Sequence, residues 1–157
     1  FLGVDSKKYL KKTLAYQGLA TLSGLILGFL LQLFLDFDIQ NYLLYYTSIV
    51  LIANCFLSII EFLIDNFKDI GKFIALIILV LQLGASGGTF PIETVTKGFR
   101  WLHNLLPMSY TIDLLRESLV KIESTLLTKN LTLIITLCLV FVVINIVNDL
   151  IYNKKNN

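Results

Sequence analysis

LGASGGTFPIETVTKGFRWLHNLLPMSYTIDLLRES, residues Leu83–Ser118, interrupts a chain otherwise written in long apolar runs. Gly84, Gly87 and Gly88 open it, Pro91 follows, and Pro107 comes later. Between and after the prolines run two short amphipathic patterns. In the first, Val95, Phe99, Leu102 and Leu106 share a face, flanked by Trp101 and Leu105, with Lys97, Arg100, His103 and Asn104 opposite. In the second, Ile112, Leu115, Leu119, Ile122 and Leu126 form a stripe opposite Asp113, Arg116, Glu117 and Lys121. A charge at the bilayer centre costs at least ~2.5 kcal/mol, so neither pattern suits a crossing. Irregular backbone facing lipid is excluded too, because its unpaired amides would cost several kcal/mol each. The reading predicts that Gly84–Gly88 ends a span. Val95–Leu106 and Ile112–Leu126 should then be non-spanning helices, re-entrant or interfacial.

Outward from this segment the chain reads as membrane. Of its 157 residues 56% are apolar, above the ~45–50% usual in soluble domains, and the mean hydropathy is +0.78. Four spans are predicted, at about 14–35, 42–64, 70–88 and 131–152, each near the ~20 residues a crossing needs. The fold class is thus an all-α integral membrane protein: four transmembrane helices plus the two short helices of 89–126, forming one domain over 1–157. Asp36–Asn41 and Asp65–Asp69 read as turns. Tyr42, Tyr45 and Tyr46 suit an interfacial aromatic belt. The chain lacks an initiator methionine, and we expect it to be the C-terminal part of a longer one.

An even number of spans puts both ends on one side. Lys7, Lys8, Lys11, Lys12, Lys68, Lys72, Lys154 and Lys155 then share that side, eight of the thirteen Lys and Arg residues. By the excess of positive charge on cytoplasmic loops, both termini are expected in the cytoplasm.

Small and polar residues within the spans are the other candidates for function. Ala20, Gly24 and Gly28, four apart, give a stripe that lets a neighbouring helix approach closely, so Gly24→Leu should overpack. Asn54, Glu61, Asn145, Asn148 and Asp149 could line a pathway or tie helices together, since ionisable groups inside a membrane are functional candidates by default. Glu61 and Asp149 lie near the ends of their spans, where exposure to headgroup water is the simpler expectation. Cys55 and Cys138 read as small residues in helix interfaces.

Enzyme chemistry is not expected. The single histidine, His103, has no companion constellation. There is no GxxxxGK[ST] phosphate loop, HExxH, CxxC or GxSxG in the sequence, and no cofactor or metal is predicted. No basic run with interleaved aromatics points to nucleic acid.

Leu81-Gln82-Leu83-Gly84, Ser86–Glu93, Leu106–Tyr110 and Leu115-Arg116 together resemble the C-terminal membrane domain of the phage infection protein (YhgE/Pip) family, within the type-2 ABC exporter permeases. The Asn66-Phe67 to Gly71-Lys72-Phe73 turn is similar as well. One departure is Val95-Thr96-Lys97, where such sequences often carry a second proline. The resemblance implies a six-helix permease whose third to sixth helices are present here, with a re-entrant element on the outer side. Gly84, Gly87, Gly88, Pro91, Pro107 and Arg116 would belong to that element, as a gate or as a static plug. The implied activity is export across a bacterial cell membrane, energised if at all by a separate ATPase. A non-transporting anchor that displays an extracellular domain, as a phage receptor or secretion-system accessory, is the alternative. The candidate partners are the lipid bilayer, a second copy of the chain (a homodimer) and a cytoplasmic ATPase.

Overall fold

The computed structural model describes residues 2–35, 38–88, 97–119 and 124–155. Among these the chain is all α-helical: α1 (Leu2–Leu35), α2 (Tyr42–Ala85), α3 (Lys97–Leu105), α4 (Pro107–Leu119) and α5 (Ser124–Lys155). Three helices, α1, α2 and α5, are long and apolar enough to cross a membrane. Pro91, Val95 and Ile122, named above, lie outside the described residues.

Helix α2 has 44 residues, about 66 Å if it ran straight at 1.5 Å per residue. It does not run straight. Lys68, inside the Asp65–Asp69 stretch read as a turn, has φ 51° and ψ −121°, and breaks the helix. A Cβ placed on Gly71 would run into the carbonyl oxygen of Leu63, eight residues back, a separation of about 12 Å in a continuous helix. The two ends of α2 also meet the same short helix. Leu115 and Leu119 of α4 pack on Tyr45 and Ile49, while Ile112 and Arg116 of α4 reach Gly88 and Gly87, just beyond the C-terminus of α2. Because α4 is only about 20 Å long, the arms 42–67 and 69–85 must fold back alongside each other.

Asn41 starts α2 by accepting the Leu44 amide on its side chain, 3.1 Å away, the usual work of an N-cap. Pro107 starts α4 at its first helical position, where a missing N–H costs nothing. This corrects the expected second helix: it runs Pro107–Leu119 rather than Ile112–Leu126, and Leu126 belongs to α5. Its buried face also differs, carrying Thr111, Leu114 and Ser118. The Thr111 and Ser118 hydroxyls bond the Met108 and Leu115 carbonyls of their own helix. Thus satisfied, they behave as small groups and let the neighbours close in. Leu114 packs there with Cys55 and Ile134, joining α4, α2 and α5.

Helix α1 begins at Leu2 and not near Leu14. Lysine, leucine and tyrosine do not stop a helix, so the basic segment simply continues it. Ala20, Gly24 and Gly28 are all buried, the two glycines against α2. Tyr45 is buried rather than belt-like, and its hydroxyl donates to the Gly28 carbonyl at 3.2 Å. Only Tyr42 of that trio is largely exposed.

The stripe is not uniform. A Cβ on Gly28 would sit 3.0 Å from Ile49 Cδ1 and 3.2 Å from the Tyr46 ring. A Cβ on Gly24 would sit 3.3 Å from Ala53 Cβ. Gly24, however, also borders an apolar cavity of about 370 Å³ together with Leu27, Ile52 and Leu115, which can take up a branch. Gly28→Leu is therefore expected to cost about 1–3 kcal/mol through overpacking, and Gly24→Leu less. Thermal melting in detergent measures both; equal or absent effects would mean that the helices separate rather than resist.

Candidate functional site

A polar ladder runs between α1, α2 and α5. At its deep end Asn54 Nδ2 donates to Thr21 Oγ1 at 3.0 Å and to the Val50 carbonyl at 2.7 Å. One turn along, Gln17 Nε2 donates to Ser58 Oγ at 2.7 Å. Asn145 of α5 donates to the Ser58 carbonyl at 2.9 Å and to Glu61 Oε2 at 3.3 Å. Thr13 Oγ1 then lies 3.5 Å from Glu61 Oε1 and 3.4 Å from Asp149 Oδ2. Finally Lys12 Nζ meets both oxygens of Asp65, at 3.0 and 3.2 Å. From Thr21 to Lys12 the ladder climbs about 13 Å of α1.

Sequence periodicity places these groups. Thr13, Gln17 and Thr21 recur every four residues, and so do Asn54 and Ser58. Asn145 and Asp149 are also four apart, so each set lines one helix face. Asn54, Glu61, Asn145 and Asp149, read as separate candidates, are thus joined in one network. Asn148 stands beside it, 3.3 Å from Asn66. Glu61 is 5% exposed and Asp149 8%, which corrects the expectation of headgroup exposure: the chain itself encloses them. Lys12, Thr13, Gln17, Thr21 and Ser58 were missed. The four-residue spacing of Thr13, Gln17 and Thr21, in register with Ala20, Gly24 and Gly28, was the available signal.

The second feature is the end of α2. Gly84 is still helical and faces open space, so it makes no turn. Gly87 does, with φ +76°. Around this break two backbone carbonyls accept from side chains of α3 and α4. Arg116 Nη2 donates to the Gly87 carbonyl at 3.1 Å. His103 Nδ1 lies 3.1 Å from the Ala85 carbonyl; a carbonyl only accepts, so Nδ1 carries the proton. His103, for which the sequence offered no companion, is one half of a backbone latch. Both residues also line a polar cavity of about 380 Å³ with Asp113, Glu117, Lys129 and Asn130.

Gly87→Ala forces a side chain into a left-handed conformation, with an expected loss of about 1–2 kcal/mol. Gly88→Ala should cost less: its Cβ would lie 2.7 Å from Ile112 Cδ1, the movable end of a side chain. Gly84→Ala should be harmless. Melting of the three variants side by side gives the order.

Compared with known families, residues 8–120 match the ABC-2 type transporter family. The chain belongs to that family. It is 40% identical over 92 residues to the uncharacterized protein YhgE of Bacillus subtilis (strain 168), a match covering 59% of this chain and 12% of that protein. The chain therefore spans about an eighth of this relative. No solved structure matches it. The two similarities bear out the resemblance read from Leu81–Arg116: this is a type-2 ABC permease-like component of a multi-pass membrane protein. Within the family match lie α4 up to Leu119 and the α1 and α2 rungs of the ladder. The α5 rungs, Asn145 and Asp149, lie beyond it.

Proposed function

We propose that this chain is the permease part of a type-2 ABC exporter, working with a second copy of itself and a separate cytoplasmic ATPase. It crosses a bacterial cell membrane four times, by α1, by the two arms of α2 and by α5, with both ends cytoplasmic. The observation that carries the reading is the family match over 8–120. The fold-back of α2 at Lys68 supports the fourth crossing, because it turns one 44-residue helix into two arms of near-membrane length. On this reading the α3–α4 element, latched to α2 by Arg116 and His103, closes the outer mouth, and Gly87 is where it would hinge.

Purification of the full-length protein from native membranes tests the energy source. ATP hydrolysis should co-purify with it, and deleting that ATPase should abolish the export lost on deleting the permease. Unaffected export would end this reading. A second reading has one specific observation in its favour: most of the Bacillus relative lies outside the matched part, as expected of a membrane anchor carrying a large extracellular domain. Such an anchor would retain phage sensitivity or secretion in cells lacking any partner ATPase.

Topology is tested with cysteine replacements in a background freed of Cys55 and Cys138. Asp38→Cys should react with an impermeant reagent in intact cells, and Asp69→Cys only after lysis. The reverse pattern would invert the orientation.

A further inference from the structure

The apolar cavity beside Gly24 has a direction. Gly24 of α1 lies against Ala53, and Gly28 against Tyr46, so α1 and the first arm of α2 run antiparallel. Ser23, Leu27 and Leu31 line the cavity from α1, four residues apart, and therefore from one helix face. Tyr45, Ile49 and Ala53 line it from α2 with the same spacing. Each set covers about 12 Å of helix. The cavity is thus a slot along the helix axes, with Leu115 and Leu119 of α4 as its third wall. Leu27 lines it and is 54% exposed, so the slot opens to the lipid-facing surface beside α1.

The lining gives water little to hold. Its two hydroxyls stand at opposite ends and donate to backbone carbonyls, Ser23 Oγ to Leu19 at 2.8 Å and Tyr45 Oη to Gly28 at 3.2 Å. The other lining side chains carry no polar atom, whereas a buried water needs about two to four polar partners. Left empty, the walls would forfeit dispersion contacts. An apolar cavity of ~150 Å³ takes a benzene molecule, and this one is about 370 Å³. Spread over about 12 Å of helix, that volume has a mean cross-section of about 30 Å². An α-helix about 10–12 Å across covers roughly 80–110 Å², so no helix of a second copy enters. A single hydrocarbon chain does. In a bilayer such chains are the solvent, and they run close to the helix axes because spans tilt by only about 20° on average.

We propose that this slot holds one acyl chain of a resident membrane lipid. The chain enters sideways past Leu27. Leu31, at one end of the slot, is about one turn from the end of α1 at Leu35, which leaves the headgroup at the membrane surface. No charged side chain lines the slot, so recognition is by shape and dispersion and does not select a headgroup. The lipid chain touches α1, α2 and α4 together. It therefore acts as part of the packing that seats α4 on the spans, whether or not the protein transports.

Photolabelling of the full-length protein in nanodiscs tests it. The probe is a phosphatidylglycerol with a diazirine near the middle of one straight acyl chain. Adducts are expected on Ile52 and Leu115, slot walls from two different helices. Leu22 and Phe29, exposed on α1, should be labelled as any lipid-facing residue is. Gly24→Leu fills the slot from its α1 wall and Leu27→Trp from its mouth. Each should remove the adducts on Ile52 and Leu115 and leave those on Leu22 and Phe29. A phosphatidylcholine probe with the same chain should reproduce the wild-type pattern. Wild-type protein without adducts on Ile52 and Leu115 overturns the proposal, whether the slot is empty or filled by another part of the chain or by a second copy. Adducts that survive both substitutions, or that depend on the headgroup, overturn it too. If neither variant folds, a probe with a methyl-branched chain, too wide for the slot, decides on the wild-type protein: it should label Leu22 and Phe29 but not Ile52 or Leu115, and equal labelling of all four would refute the slot.

Discussion

Gly71→Ala is expected to prevent the α2 hairpin from closing. The added methyl would fall on the Leu63 carbonyl oxygen, with the amide nitrogen of the same peptide unit, that of Ile64, 3.1 Å away. Both are backbone atoms of the helical arm 42–67, and no rotamer change relieves the clash. Either the two arms of α2 separate, or the Lys68 corner takes another shape. We expect a loss of about 3 kcal/mol or more, above the usual cost of overpacking, read as failure to purify or a collapsed melting temperature. Gly18→Ala is the control. It is also a helical glycine and has nothing within 4 Å, so it should stabilise slightly, by up to about 1 kcal/mol from helix propensity. Similar behaviour of the two variants would mean that the corner is not fixed by contact with Gly71.

Lys12→Met should also have a large effect. It keeps the aliphatic stem and removes the only ammonium within 4 Å of Asp65, Glu61 and Asp149 among the described residues. Breaking a buried pair by deleting one partner costs about 3–5 kcal/mol. The Lys12 side chain is a third exposed and that of Asp65 27%, so water screens part of this and about 1–3 kcal/mol is expected. Lys12→Met with Asp65→Asn should recover part of the loss, because the carboxylate closest to Lys12 is then neutral. A double variant no better than the single one would show that packing of the lysine stem, not its charge, matters.

The helical class and the break after Leu83 were legible because both follow from local chemistry. Apolar runs of membrane length specify helices, while Gly87 and Pro107 punctuate them. The boundaries of α4 were not legible. The reading began at the first residue of the apolar stripe, Ile112, whereas Pro107 fixes the start by its own ring and Met108–Thr111 then follow as helix. The polar ladder was half legible. Glu61 and Asp149 stood out as carboxylates in apolar surroundings, but their enclosure depends on how α1 is rotated, and that is set by Gly28 against Tyr46 and Ile49. Tyr45 was misread for a related reason: an aromatic at a span's start suits the interface unless its hydroxyl finds a partner inside. Gly28, having no side chain, leaves its carbonyl open to accept.

The latch at the end of α2 bears on how such a segment can drift. Arg116 and His103 grip the carbonyls of Gly87 and Ala85, groups that every residue carries. Drift at Ala85 and Ser86 is then limited only by the space around two buried positions, and the hold itself does not depend on which side chains stand there. At Gly87 the backbone angle forbids such freedom. Homologues should therefore vary most readily at Gly84, exposed and untouched. Loss of Arg116 should be matched by another donor long enough to reach the same carbonyl, whatever position along α4 it comes from.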